Sequence, residues 1–95
     1  PGIECILTPG HSVANQSISV STKKGTAILG SDCAHSYRNY QNDWPSIFIF
    51  DLLAWMKSYD ILRSKVSAEE LLFPGHDPLM TENYPLVAEG ITRLV

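Results

Sequence analysis

Apolar and polar positions divide the chain into short alternating segments near its start and one longer amphipathic segment near its middle. Ile3-Glu4-Cys5-Ile6-Leu7-Thr8 reads as a short strand, stopped by Pro9-Gly10. Gln16–Thr22 sets Ile18 and Val20 against Ser17, Ser19 and Ser21, the period of two of a half-buried strand. Lys23-Lys24-Gly25 predicts a hairpin turn, and Thr26-Ala27-Ile28-Leu29 returns as the second strand, ended by Gly30-Ser31-Asp32. The polar stretch 33–45, which carries Tyr37, Tyr40 and Trp44, reads as a long loop. Residues 50–64 have helical spacing: Leu52, Trp55, Met56, Tyr59 and Leu62 form one core-facing stripe, with Asp51, Lys57, Ser58 and Ser64 largely outside it. Ser67-Ala68-Glu69-Glu70 suits a helix start or a turn, and residues 70–73 form a short strand candidate ending at Pro74-Gly75. Pro85 and Gly90 limit any helix in the mixed tail, 79–95.

This order is α/β, and as a free-standing fold it is incomplete. A hairpin, one or two short strands and one long helix cannot cover both faces of a sheet, so something else is expected to pack against it. The 95 residues allow one small domain or part of one. With 44% hydrophobic and 18% charged residues the chain has the composition of one that packs a core. A formal net charge of -3 argues against nucleic acid or an anionic membrane as partner, since both reward a basic patch. The longest mainly apolar run, 47–55, is interrupted by Asp51 and is too short to span a bilayer. No basic segment precedes an apolar one at the N-terminus, so no signal peptide is expected. The first residue is Pro rather than Met, from which we expect the chain to begin inside a longer gene product. Cys5 and Cys33 are too few for a disulfide framework, and reduced thiols in the cytoplasm are the simplest expectation.

Candidate chemistry lies where strands give way to loops. Thr8-Pro9-Gly10-His11, Gly30-Ser31-Asp32 and Phe73-Pro74-Gly75-His76-Asp77 each put a ligand-type side chain at a strand end, where sites are usually built. Singly, a His after Pro-Gly is an ordinary loop residue and Asp32 an ordinary turn cap. Together, two imidazoles and a carboxylate suit zinc, which takes nitrogen and oxygen ligands. Cys33 beside Asp32 invites a thiolate reading, but without a paired base a small packed residue is expected. Ser12, His76 and Asp77 make a triad on paper only, because no Gly-x-Ser-x-Gly elbow is present. Trp44, Phe48 and Phe50 suit an apolar acyl-chain pocket or, more simply, core or interdomain packing.

Thr8-Pro9-Gly10-His11-Ser12, Gln16-Ser17, Gly30-Ser31-Asp32, Tyr37-Arg38-Asn39 and Pro74-Gly75-His76-Asp77-Pro78 resemble the metallo-β-lactamase superfamily, within it the N-acyl homoserine lactonase-like branch. The match runs almost the full chain in the family's order. The resemblance implies the C-terminal half of an αββα sandwich over residues 1–95. It implies that His11 binds a first zinc, Asp32 bridges two, and His76 binds the second. The family's other four ligands come from a first-half signature, His-x-His-x-Asp-His, which is absent here: the histidines are His11, His35 and His76. The implied activity is hydrolysis of a small-molecule lactone or ester by a metal-bound hydroxide, with the bridging Asp often supplying the leaving group's proton.

Three departures bear on substrate more than on fold. The lactonases often carry Tyr three residues after the bridging Asp, where its hydroxyl assists the substrate carbonyl; His35 stands there, either donating a similar hydrogen bond or pointing to solvent. Tyr37 can substitute for it or pack in the loop. Ser31 replaces the usual Gly before the Asp, and Val13-Ala14-Asn15 replaces a common Pro-Gly-His. Alone, the chain is expected to be inactive and to bind metal weakly, awaiting a missing N-terminal half or a partner chain, with self-association through exposed apolar surface. The rival expectations are a non-catalytic interaction module, a thioesterase, and oxidation of a sulfur substrate at a single iron.

Overall fold

Alternation of side chains builds the N-terminal third into a meander. The structure is a computed structural model and describes residues 1–95. β1 (Ile3–Leu7) runs antiparallel to β2 (Gln16–Thr22), with Ile3 opposite Val20 and Leu7 opposite Gln16. β2 in turn runs antiparallel to β3 (Gly25–Leu29). The hairpin is tighter than the sequence predicts: Gly25 already pairs with Thr22, so the turn is Lys23-Lys24 alone.

The chain then leaves the sheet and comes back parallel. Between β3 and the two-residue β4 (Leu72–Phe73) lie a 3₁₀ turn (Ser31–Cys33), α1 (Tyr37–Gln41), α2 (Leu52–Lys65) and a second 3₁₀ turn (Glu69–Leu71). β4 pairs parallel with β3, Ile28 opposite Leu72, which gives the order β1-β2-β3-β4. The stretch 33–45 is therefore not one long loop. Ser36 caps α1 by accepting from the Asn39 backbone N–H at 3.2 Å. Five residues are too few to display a helical period, which is why the pattern hides this helix.

Asp51 caps α2, accepting from the Ala54 N–H at 2.9 Å. Trp55, Tyr59 and Leu62 of this helix are fully buried against Ile6, Ile28 and Leu72 of the sheet. Two positions depart from the predicted stripe. Leu52 is exposed, and Ser58 is fully buried because its hydroxyl donates to the Pro9 carbonyl at 2.7 Å, tying α2 to the loop after β1.

Polarity along β2 points the wrong way. Ser17 and Ser19 are the buried positions, while Ile18 faces out. Small serines let α2 approach that face, and the Ser17 hydroxyl is satisfied there by the Gly30 carbonyl at 3.0 Å and the Thr8 hydroxyl at 3.0 Å. The opposite face, with Ile3 71% and Leu7 56% exposed and Ile18 and Leu29 partly so, has no helix layer over most of its width. Only its β4 edge is covered, where Phe73 and Ala27 pack with Met80 of α3 (Leu79–Glu82) and with Tyr84. A terminal hairpin of β5 (Leu86–Ala88) and β6 (Ile91–Thr92) follows. The result is mixed α/β: a four-stranded sheet and a small terminal hairpin, α1 and α2 on one side and a largely open apolar surface on the other, as expected for half of an αββα sandwich. No helix is long and apolar enough to cross a membrane.

Candidate metal centre

The ends of β1, β3 and β4 deliver His11, Asp32 and His76 to one edge of the sheet. After β1, Asn15 clamps the loop, its side-chain amide donating to the Thr8 carbonyl at 3.1 Å and the Thr8 hydroxyl at 3.2 Å. Gly10 lies against α2 so closely that a Cβ there would stand 2.4 Å from Trp55 Cβ, and its φ of +144° favours glycine as well. His11 follows. Its Nδ1 donates to the Phe48 carbonyl at 3.0 Å, which leaves Nε2 with its lone pair, 3.8 Å from Asp32 Oδ2. An imidazole oriented by a backbone carbonyl in this way is a common form of metal ligand.

After β3 the chain turns sharply at Ser31, whose φ of +50° lies in the left-handed region, and presents Asp32. After β4, Gly75 N–H donates to the Ala34 carbonyl and His76 N–H to the His35 carbonyl, both at 2.9 Å. This pairing sets His76 beside the Asp32 loop, where His76 Nε2 donates to Asp32 Oδ1 at 2.7 Å. Trp55 forms one wall. Its indole N–H donates to the Cys33 carbonyl at 2.8 Å, and its ring lies 5.8 Å from His11 and 6.0 Å from His35.

His35 sits inside the cluster, half-buried between two other imidazoles. Its ring lies 5.2 Å from that of His11 and stacks on His76 at 5.0 Å, and its Nδ1 is buried without a hydrogen-bond partner. Asp32, His35 and His76 each offer a donor atom within 4.8 Å of the others. The His76 hydrogen bond holds the Asp32 carboxyl below its ordinary pKa, against the opposing effect of burial. Burial likewise pushes His35 below the ordinary imidazole value. An ionised carboxylate and a neutral imidazole are the forms that coordinate a cation, so donor types and protonation states both fit a metal ion such as zinc.

Tyr37 opens α1, and its backbone N–H donates to Asp77 Oδ2 at 3.0 Å. Burial raises the pKa of its phenol, Tyr84 raises it further, and no partner completes the hydrogen bonding of its hydroxyl. Tyr37 lines a cavity of about 870 Å³ together with His76, Arg38 and Tyr84. Trp44, Phe48 and Phe50 do not line that cavity and are not core residues either, since all three are exposed. Cys33 is buried, and burial pushes its thiol up to about 12, as a packed residue requires. No hydrogen bond joins Ser12 to His76 or His76 to Asp77, so there is no triad. Sequence reasoning missed Trp55 as a wall of the centre and the Phe48 carbonyl as the partner of His11. Neither carries a signal: Trp55 belongs to the apolar stripe, and a backbone carbonyl is blind to residue type.

No protein-family model matches the chain. It is 33% identical over 79 residues to an N-acyl homoserine lactonase of Bacillus cereus, which covers 81% of this chain and 31% of that enzyme. The N-acyl homoserine lactonase AiiA of Bacillus thuringiensis subsp. kurstaki is 32% identical over the same length. The chain thus spans about a third of the length of the curated relatives it matches. Among solved structures, a quorum-quenching N-acyl homoserine lactone hydrolase superposes with a TM-score of 0.78 at 26% identity, over 98% of this chain and 38% of that one. The dizinc quorum-quenching lactonase AidC shares the fold, with a TM-score of 0.61 at 20% identity over 81% of this chain and 27% of its own. In sequence and in fold, the chain is similar to the C-terminal half of the N-acyl homoserine lactonase branch of the metallo-β-lactamase superfamily.

Proposed function

We propose that residues 1–95 are the second half of a two-zinc hydrolase that opens a lactone ring, in the manner of the N-acyl homoserine lactonases. The observation that carries this reading is the position of Asp32 between two histidines from different strand ends, 2.7 Å from His76 Nε2 and 3.8 Å from His11 Nε2. The lactonase relatives, one of them a dizinc enzyme and another holding N-hexanoyl-L-homoserine at its catalytic metal centre, support the substrate class.

His11 through Nε2, Asp32 through its carboxylate and His76 through its imidazole would hold the zinc pair, together with ligands from a first half. When bound, a zinc pair acidifies water and polarises a carbonyl, which is what ring opening needs. Asp32, ionised at neutral pH, can take up a proton at its free oxygen and return it to the leaving alkoxide. Tyr37, protonated well beyond neutral pH, borders the cavity with His76, its own hydroxyl buried and without a partner. The His35 ring stacks on that of His76 at 5.0 Å. The bare face carrying Ile3, Leu7, Ile18 and Leu29 is the surface that the first half would cover. Two free thiols, one exposed and one buried, suit a cytoplasmic setting.

The test joins this chain to a first half carrying His-x-His-x-Asp-His and measures zinc content and lactone hydrolysis. We expect about two zinc per assembled unit, and loss of both metal and turnover in Asp32→Ala. Full activity in that variant would sink the assignment. An assembly that binds no metal would favour the non-catalytic module.

A further inference from the structure

We infer that His35 is a metal donor, and that Asp32, His35 and His76 form a single-ion site contained within these 95 residues. The inference rests on reading Asp32 and His76 as metal-directed, and it gives His35 a role other than a hydrogen bond to a substrate carbonyl.

Three observations carry it. The first is the orphaned nitrogen. His35 Nδ1 is buried and no protein group meets it. A buried polar atom left in that state is costly, and each such atom in a folded protein calls for a partner. Here the neighbours are an anionic carboxylate and two further imidazoles, which together suit a cation.

The second is spacing. Donor atoms of the three residues lie within 4.8 Å of one another. Ligands of one tetrahedral zinc, each at about 2.0–2.1 Å, stand roughly 3.3–3.4 Å apart. Small side-chain rotations close the difference. The third is the backbone. His35 and His76 come from paired backbone, His76 N–H donating to the His35 carbonyl at 2.9 Å, so the two residues stay side by side while their rings, 5.0 Å apart with 19° between planes, tilt to bring one nitrogen each onto a shared ion. Trp55 backs the His35 ring at 6.0 Å.

Three protein donors with water in a fourth position make a complete zinc site, whereas His11, Asp32 and His76 divided between two ions do not. The chain should accordingly hold one ion before any first half arrives.

The probe is Co²⁺ titrated into the 95-residue chain and read by its visible d–d absorption, with zinc titrations followed by ¹⁵N chemical shifts of the histidine rings. We expect one Co²⁺ per chain, zinc-induced shifts at the His35 and His76 rings, and a loss of affinity in His35→Phe exceeding the roughly 10–100-fold typical of an outer-shell partner. The ring shifts need no variant and stand even if His35→Phe folds poorly. A His35 ring unmoved at saturating zinc, or His35→Phe binding within about threefold of the parent, overturns the inference. If Asp32→Asn and His76→Ala lose binding while His35→Phe does not, the inference fails and the zinc reading of the centre survives. If the chain binds no metal but takes up zinc once a first half is joined, the inference again fails and the zinc reading again survives. No metal under either condition removes both.

Discussion

His76 Nε2 and Asp32 Oδ1 lie 2.7 Å apart and join two loops that are 44 positions distant in sequence. Both atoms belong to groups proposed as metal ligands, so the hydrogen between them occupies the space a metal would take. A ligand imidazole must give up its proton on that side. Zinc binding at His76 Nε2 is therefore expected to break the bond to Asp32 and leave the ring proton on Nδ1. The ¹⁵N shifts of the His76 ring, recorded with and without zinc, report which nitrogen carries the proton. An Nε2–H that persists at saturating zinc would show that His76 is not displaced from its bond to Asp32.

Gly10 tests the packing behind the centre. An alanine Cβ would stand 2.4 Å from Trp55 Cβ, with backbone and side-chain atoms of the same residue close behind, and φ is +144°. Neither α2 nor the loop can yield without disturbing the other. Gly10→Ala should destabilise the chain by about 1–3 kcal/mol and weaken metal binding through His11. Urea denaturation gives the first quantity, and an unchanged midpoint would mean that the loop after β1 is free of α2.

Alkaline pH should loosen the core around Cys33. Burial pushes its thiol from 9.0 to about 12, so the folded chain keeps a proton that the unfolded chain releases. That contribution is fully present below pH 9 and is lost as pH rises from there through the folded value. Stability should fall with rising pH in this window, and Cys33→Ala should flatten the slope. Thiol labelling gives a second readout: exposed Cys5 reacts readily, while Cys33 reacts only at the rate of opening. Equal labelling rates would contradict the burial of Cys33.

The open sheet face predicts association of the isolated chain. Ile3, Leu7, Ile18 and Leu29 are all more than a third exposed on a surface without a helix layer. Analytical ultracentrifugation should show concentration-dependent oligomers, and Ile18→Lys should shift them toward monomer with little loss of stability. A monomer at all concentrations would argue that this face needs no cover.

Much of the fold was legible where residue type and local geometry agree. The β2–β3 hairpin, the helix after Asp51 and the three strand-end motifs could be read because alternation, helical spacing and Pro-Gly stops act over a few neighbouring residues. α1 was not, because a five-residue helix held by the Ser36 cap has no period to display. The inward face of β2 was misleading for a different reason. Ser17 is buried where its hydroxyl donates to the Gly30 carbonyl, and Ile18 lies outside on the face that carries no helix layer. Ser31 likewise stands in a left-handed turn where glycine is the easier residue, and only the structure reveals that strain.

By itself the sequence singled out the candidate residues His11, Asp32 and His76, because each sits at a strand end and strand ends share an edge. It also offered too few elements to cover both faces of a sheet. What the tertiary structure decided is the place of His35, between two other imidazoles with a buried nitrogen unmet, and the wall that Trp55 provides. Those relations join residues dozens of positions apart through packing and backbone pairing, and no local pattern of side chains encodes the distance between them.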